Sequence, residues 1–350
     1  MQQQLETISD FLKMSGFQYR VFDLGRKIQR ISNQRFADIE SQKFQYPYPF
    51  QQKAWLSVLF WDEKTKAEPV IWFLSFPIDE LGFLKLESRD SFLRDLLTNV
   101  DGNIKAHQQG GAAQDAMKES PFSFKPREGR LAMFHALATV ELNQAPSQYY
   151  SHAKSYISGE VGFDQWQFLG LQGVADVIAR LDIDNNAQAL AQAVEKLPDV
   201  PLDTFMQCLE NVRYSGTLSM AVSERLASEM AKDSPQAPLM ASLIRALSGS
   251  EAKAERMRLL ENILSSPFAE QIDVLAAVSG RCWNDLQDES LLMAFLEAAA
   301  LQEQTVFNIL LVDLMTLPDM RQKVLMSLRN PERSTMLSKC IGGFMGGVIA

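Results

Sequence analysis

The side chains best suited to chemistry in this chain are few and scattered. Histidine and cysteine, the usual general base and the usual thiol nucleophile, occur only three times each. These residues are His107, His135, His152, Cys208, Cys282 and Cys340. None lies in an HExxH, CxxC or GxSxG pattern, and the cysteines fall in apolar helical segments. The sequence therefore predicts no catalytic residue, no metal ligand and no cofactor-binding residue.

Two carboxylates, Asp182 and Asp184 in LDIDNNAQAL, have the alternate spacing that occurs in calcium loops. The segment lacks the glycine at the sixth position and the closing glutamate that such a loop requires. Asn185 or Asn186 is a suitable N-cap for the helix that follows. The pattern therefore indicates a helix start rather than a metal site.

A basic cluster lies near the N-terminus and is opposed within that stretch only by Asp23. Its members are Arg20, Arg26, Lys27, Arg30 and Arg35. It could bind a phosphate group, RNA, or the acidic C-terminal part of the same chain. The last alternative needs no ligand and is favoured. Arg26, Lys27 and Arg30 are the candidate residues of an interaction surface, and the ones that would bind RNA or a phosphate ligand.

An aromatic segment, YPYPF at residues 46–50, follows this cluster. Two prolines stiffen it, so Tyr46 and Tyr48 could bind a partner at low entropic cost. Aromatic side chains that close one end of a small sheet are equally common core residues. Both interpretations stay open.

The last ten residues, IGGFMGGVIA, contain four glycines and no charge. Asn330-Pro331 predicts a helix start, and helical spacing then puts Leu337, Ile341, Phe344 and Val348 on one face. The glycines fall on the opposite face, so Gly343 and Gly347 are candidates for close packing or a dimer contact. The alternative is a tail that frays from about Gly342.

The elements around these residues change character along the chain. Residues 1–106 read as a helix, a hairpin (17–24 and 27–32), a short helix, two aromatic strands (53–61 and 69–76), a possible strand at LGFLKL and a helix capped by Ser88. Residues 107–129 are rich in Gly, Gln, Ala and Ser and are predicted as a linker. Residues 130–350 have helical periodicity throughout. The predicted fold is an α+β domain with a small antiparallel sheet, followed by an all-helical domain.

Two stretches of the helical part resemble each other, residues 225–249 and 256–280. Both begin with Arg, contain SPxA and end in Ser-Gly, at an offset of 31 residues. In each, Ser is the predicted N-cap and Pro the first helical residue. The period predicts stacked helical hairpins, as in a short solenoid.

Composition excludes several classes of protein. Residues 1–128 carry no net charge, while residues 129–350 carry the whole net charge of -9. That balance disfavours broad binding to nucleic acid or anionic membranes. No uncharged stretch reaches the roughly 18 residues of a membrane span, and no signal peptide is predicted. Three isolated cysteines suit a reducing compartment, so the predicted location is the cytoplasm.

The segments RVFDLGRKIQRIS, YPYPFQQKAWLSVLFW and PVIWFLSFPIDELG resemble a family of bacterial proteins known only as a domain of unknown function. The resemblance spans nearly the whole chain and implies a cytoplasmic protein in two parts. It implies no activity and no site residues.

The hypothesis that follows is a non-enzymatic module that binds a protein partner or associates with itself. An enzyme whose site is assembled from scattered residues is the first alternative. A binder of RNA or a phosphate ligand at Arg26 is the second. No cofactor is predicted, and the sequence does not indicate a small-molecule ligand.

Overall fold

The computed structural model describes residues 6–64, 68–99 and 120–349. The chain divides into two compact units, Met1–Pro126 with Thr316–Pro318, and Arg127–Met315 with Asp319–Ala350. Most of the predicted linker, residues 107–119, lies outside the described residues. The predicted domain boundaries therefore stay a prediction.

The first unit is an α+β fold, as predicted. Its elements are α1 (Ile8–Met14), β1 (Gln18–Asp23), β2 (Gln29–Ile31), α2 (Asn33–Glu40), β3 (Lys53–Trp61), β4 (Val70–Pro77) and α3 (Leu86–Asn99). The strands form an antiparallel sheet in the order β2-β1-β3-β4. Val21 pairs with both Ile31 and Val58, which places β1 inside the sheet.

The sequence of β3 and β4 explains why they form adjacent strands. Both are rich in β-branched and aromatic residues, which suit a half-buried pleated surface. Trp72 of β4 packs edge-on against Phe60 of β3 and against Phe92 of α3, with ring centroids 4.6 and 5.9 Å apart. All three side chains are buried in one apolar core that spans the sheet and its helices.

Two details of this unit differ from the prediction. LGFLKL is not a strand, because only one isolated bridge, between Ile78 and Leu84, forms there. The helix begins at Leu86, so Ser88 lies inside it and is not its cap. Residues 122–124, at the C-terminal end of the predicted linker, lie along β4, where Ser75 donates its backbone N–H to Phe122 O at 2.7 Å.

The second unit is helical. Its helices are α4 (Glu128–Glu141), α5 (Tyr150–Ile157), α6 (Leu171–Ile178), α7 (Asn186–Val194), α8 (Asp199–Leu209), α9 (Gly216–Met230), α10 (Ala237–Leu247), α11 (Lys253–Leu264), α12 (Ile272–Arg281), α13 (Glu289–Ala299), α14 (Gln304–Met315), α15 (Arg321–Ser327) and α16 (Thr335–Ile349). Short 3₁₀ helices occupy Phe163–Phe168 and Pro267–Glu270. Among the described residues, no helix has both the length and the apolar character needed to cross a bilayer.

These helices stack in two rows. Each even-numbered helix from α4 to α16 contacts the next even-numbered one, and each odd-numbered helix from α5 to α15 contacts the next odd-numbered one. The two rows also pack on each other, as in the pairs α5 with α6 and α9 with α10. This is the arrangement of stacked helical hairpins that the sequence predicts.

The resemblance between residues 225–249 and 256–280 falls on one step of this stack. The first stretch covers the end of α9 and all of α10, and the second covers most of α11 and most of α12. The predicted capping is wrong in the first copy, because α10 begins at Ala237 with Gln236 in the cap position. In the second copy Ser266 does cap, but it caps the 3₁₀ turn, where its hydroxyl accepts from the backbone N–H of Phe268.

The glycine that ends each copy gives a matched pair of substitutions. A Cβ on Gly249 would collide with the backbone carbonyl of Val212 and lie 3.2 Å from that of Leu209, whereas a Cβ on Gly280 would meet nothing within 4 Å. Backbone atoms cannot swing away, so Gly249→Ala should lower the free energy of unfolding by about 1–3 kcal/mol. Gly280→Ala should leave it unchanged or raise it by up to about 1 kcal/mol, because alanine favours a helix interior.

Chemical denaturation followed by circular dichroism measures both variants of this pair. Equal effects at the two positions would show that the close approach at Gly249 does not constrain the fold.

Candidate functional site

The basic hairpin and the aromatic segment meet at a buried carboxylate, Asp23. Its oxygens accept hydrogen bonds from the Tyr46 hydroxyl at 2.5 Å and from the backbone N–H groups of Gly25 and Arg26 at 3.2 and 3.3 Å. Arg26 Nε donates to the carbonyl of Pro49 at 2.7 Å. Burial, together with the charge of Asp23, raises the pKa of Tyr46 well above its usual value.

Two residues of the predicted interaction surface therefore do not lie on a surface. Arg26 and Tyr46 are each 0% exposed, because their polar atoms are used in this network. Tyr46 is a core residue, one of the two interpretations left open above. Lys27 and Tyr48 are half-buried and Arg30 is exposed, and binding through these three stays a prediction.

The terminal helix α16 begins at Thr335, later than predicted. Pro331 lies in a turn where Asn330 Oδ1 accepts from the Glu332 N–H at 2.9 Å. Ser334 then caps the helix by accepting from the Leu337 N–H at 3.0 Å. The apolar face is present up to the described limit: Leu337 is buried, while Ile341 and Phe344 are half-buried; the surroundings of Val348 lie outside the described residues.

The glycine face of α16 is only partly packed. A Cβ on Gly343 would collide with the side-chain amide of Gln304, which donates to the carbonyl of Cys340 at 2.9 Å. Gly342 and Gly346 have nothing within 4 Å of such a Cβ, and the surroundings of Gly347 lie outside the described residues. Self-association through this face stays a prediction.

The remaining histidines, cysteines and carboxylates with chemical potential do not form a reactive site among the described residues. Burial raises the pKa of the Cys208 thiol to about 12 and lowers the pKa of His135. Asp184 accepts from the Tyr150 hydroxyl at 2.9 Å and pairs with Lys154. His152 is exposed, and His107 lies outside the described residues. Within the described ranges no three His, Cys, Asp or Glu residues are grouped as a metal site would need.

A second buried carboxylate belongs to Glu40, the last residue of α2, and its side chain lies at the start of α1. It accepts hydrogen bonds from the backbone N–H groups of Ile8 and Ser9 at 2.8 and 3.0 Å, and from the Ser9 hydroxyl at 2.6 Å. Arg89 donates to the backbone carbonyl of Glu40. Desolvation outweighs these contacts and raises the pKa of Glu40 to about 7. This group belongs to the core of the first unit and borders no cavity described here.

The arrangement best suited to binding lies in the even row of helices and was not predicted from the sequence. Three arginines surround one carboxylate, Glu210, which ends α8. Its oxygens lie 2.9 Å from Arg281 Nη2, 3.4 Å from Arg245 Nε and 3.7 Å from Arg130 Nη2. These arginines come from α12, α10 and α4, so one side chain joins four helices of the row.

These residues line a cavity of about 400 Å³, the arginine pocket. Its lining is Arg127, Gly129, Arg130, Leu171, Thr204, Gln207, Cys208, Glu210, Asn211, Arg245 and Arg281. The lining contains four guanidinium groups and one carboxylate, a balance of +3 in a unit whose sequence is acidic overall. Arg281 Nη2 donates a hydrogen bond to Glu210 at 2.9 Å, whereas Arg245 meets this carboxylate as an ion pair through Nε at 3.4 Å.

The donors of two arginines are incompletely used. The Arg245 guanidinium makes no hydrogen bond to any described residue and touches Glu210 only as an ion pair at 3.4 Å. Arg281 uses Nη2 on Glu210 and Nη1 on the Gly280 carbonyl, while its buried Nε has no partner among the described residues. The guanidinium of Arg245, whose side chain is 28% exposed, therefore has donors left for an anion in the pocket.

A second cavity of about 460 Å³, the aspartate pocket, shares Thr204, Gln207 and Arg245 with the first. Its charged lining is Asp199, Asp203, Asp273 and Arg245. Asp203 and Asp273 carry no ion pair to a described residue, while Asp199 is paired with Arg225 at 2.9 Å. The two pockets are therefore contiguous and of opposite charge.

The fold and these pockets define a class of protein: an α+β unit joined to a stack of helical hairpins that carries charged cavities on one row. The chain belongs to the family described as Protein of unknown function (DUF3549), whose model matches residues 3–345. Comparison with curated proteins and with solved structures gives no match.

Proposed function

We propose that this protein is a non-enzymatic interaction module that binds an extended segment of a partner protein along the even row of helices. An acidic group of the partner enters the arginine pocket, and a basic group enters the aspartate pocket. The observation that carries the proposal is the contiguity of two cavities with opposite charge. A protein segment is the partner that most readily offers both signs at a fixed spacing.

Helix dipoles provide a competing explanation for this charge pattern. Arg245 and Arg281 lie in the last turns of their helices, and Asp199 and Asp273 lie in the first turns, as the dipoles favour. The helix dipole accounts for one favourable charge at each helix end. The dipole does not explain why arginines of three helices converge on one carboxylate, since their mutual repulsion lowers the stability of the fold.

The lining of the pockets favours binding over catalysis. Cys208 is the one thiol in the lining, and burial raises its pKa to about 12, so it is protonated at neutral pH. Glu210 is engaged by arginines. RNA is disfavoured because the aspartate pocket would repel a phosphate backbone. We also place the protein in the cytoplasm, which agrees with three free, buried cysteines.

Peptide capture tests this proposal. The immobilised full chain is exposed to proteolytic peptides of the proteome that encodes it, and the retained peptides are identified by mass spectrometry. The expected set is enriched in peptides with an acidic and a basic residue at a recurrent spacing. Arg127→Glu/Arg245→Gln should remove the acidic preference, and Asp203→Lys/Asp273→Lys the basic one.

Arg258→Glu is the matched control, because Arg258 is exposed and lies on α11 in the odd row. It should retain the wild-type peptide set. Peptides without a charge pattern, or a set unchanged in both pocket variants, would overturn the proposal.

A further inference from the structure

We infer that the arginine pocket is a site for a phosphate monoester group, presented by a phosphorylated side chain or a free phosphorylated compound. For a phosphorylated side chain the inference rests on the proposed function, since it specifies the acidic group of the partner that the same pocket receives. A free phosphorylated compound would take the place of that group. Nothing in the family match assigns such a ligand.

The charge balance favours a dianion. One carboxylate, Glu210, is already built into the pocket, and the lining still carries three more positive charges than negative ones. A second carboxylate would cancel one of them. A phosphate monoester carries a charge of about -1.5 to -2 at pH 7 and would cancel two.

The donor geometry favours the same group. Arg245 and Arg281 both lie within 3.5 Å of Glu210, so their guanidinium groups face a common region of the pocket. The guanidinium of Arg245 makes no hydrogen bond to a described residue and meets Glu210 only through Nε, at 3.4 Å. A planar guanidinium offers paired donors that match the oxygens of a phosphate, and a phosphate has three terminal oxygens to share between two arginines.

The size of the pocket agrees with a group larger than a carboxylate. Its volume of about 400 Å³ lies in the range of cavities that hold small ligands. Thr204, Gln207 and Asn211 add polar lining beside the arginines. Internal phosphodiesters of nucleic acids carry a single charge per phosphate, so this balance favours a terminal phosphate over a strand.

Isothermal titration of the full chain at pH 7.5 tests the site, with inorganic phosphate, O-phosphoserine and succinate as probes at matched ionic strength. Phosphate and phosphoserine should bind with one site per chain, and succinate more weakly. Arg245→Gln should weaken phosphate binding by about tenfold or more, as expected for loss of a charge-assisted hydrogen bond. Arg258→Gln should change nothing. Melting curves establish that both variants are folded.

Comparison of a phosphoserine peptide with inorganic phosphate distinguishes the two sources of the phosphate group. Tighter binding of a phosphoserine peptide than of inorganic phosphate supports a phosphorylated protein, and the reverse supports a free compound. Absence of saturable phosphate binding, equal binding of succinate, or equal affinities in the two variants would overturn the inference. If phosphate fails while peptide capture still depends on Arg127 and Arg245, the proposed function stands and only the phosphate assignment falls.

Discussion

Replacing Glu210 by glutamine should lower the free energy of unfolding of the helical unit by about 3 kcal/mol. The Glu210 side chain is 7% exposed and is the only carboxylate in the lining of the arginine pocket. Its removal leaves guanidinium groups from three helices close together without a counter-charge. Breaking a buried ion pair from one side costs about 3–5 kcal/mol. The lower end applies here because Arg130 and Arg245 are about a quarter exposed.

Thermal unfolding measures this loss in a buffer without phosphate or sulfate. For a unit of this size the expected fall in melting temperature is about 6–12 °C. Glu255→Gln is the control, because Glu255 forms an exposed ion pair with Arg258 in the same unit and should melt like wild type. A melting temperature for Glu210→Gln within about 1 °C of wild type would show that the carboxylate does not hold the four helices together.

The same variant links stability to ligand binding. An anion that enters the pocket restores the counter-charge that glutamine lacks, so added phosphate should raise the melting temperature of Glu210→Gln more than that of wild type. A chloride series at equal ionic strength separates this effect from general screening. An equal response of both proteins would argue that phosphate acts outside the pocket.

The structure also shows which features depend on local sequence and which depend on assembly. The strands β3 and β4 are predictable, because each is a short run of aromatic and β-branched residues between polar turns. Stacked helical hairpins are predicted by helical periodicity and by the offset of 31 residues, while their arrangement in two rows is seen in the structure. Helix starts are harder to predict than strands, because Ser88, Asn330 and Ser234, the serine of the first SPxA step, are plausible caps but do not begin the observed helices.

The arginine pocket could not be found from local patterns. Arg130, Glu210, Arg245 and Arg281 are separated by up to 151 residues, and each looks like an ordinary charge near a helix end. They meet only because the even-numbered helices stack. Arg26 shows the converse case: the neighbouring basic residues suggested a surface, whereas this side chain is buried and its Nε donates to the carbonyl of Pro49. A search for opposite charges at the ends of stacked helices would have given a signal.

Replacing Glu40 by glutamine should change how stability depends on pH. The pKa of Glu40 is raised from 4.5 to about 7 in the folded protein, so between these values the folded state binds more protons than the unfolded state. Stability from this group is therefore greatest below pH 4.5 and is lost as pH rises through about 7. A shift of this size corresponds to roughly 3 kcal/mol. Glutamine does not titrate, so Glu40→Gln should gain about that much relative to wild type between pH 4.5 and 8.

Denaturant titrations across that range measure the free energy of unfolding of both proteins. The contributions of all other titrating groups cancel when the wild-type value is subtracted from that of the variant. Glu63→Gln, an exposed change in the same unit, should show no such trend. Two kinds of contact oppose desolvation, because the three hydrogen bonds from the start of α1 and the nearby Arg89 favour the ionised carboxylate. If these contacts outweigh desolvation, the sign reverses and glutamine loses stability relative to wild type as pH rises. The direction of the trend thus decides whether Glu40 is a protonated core residue or a charged cap of α1.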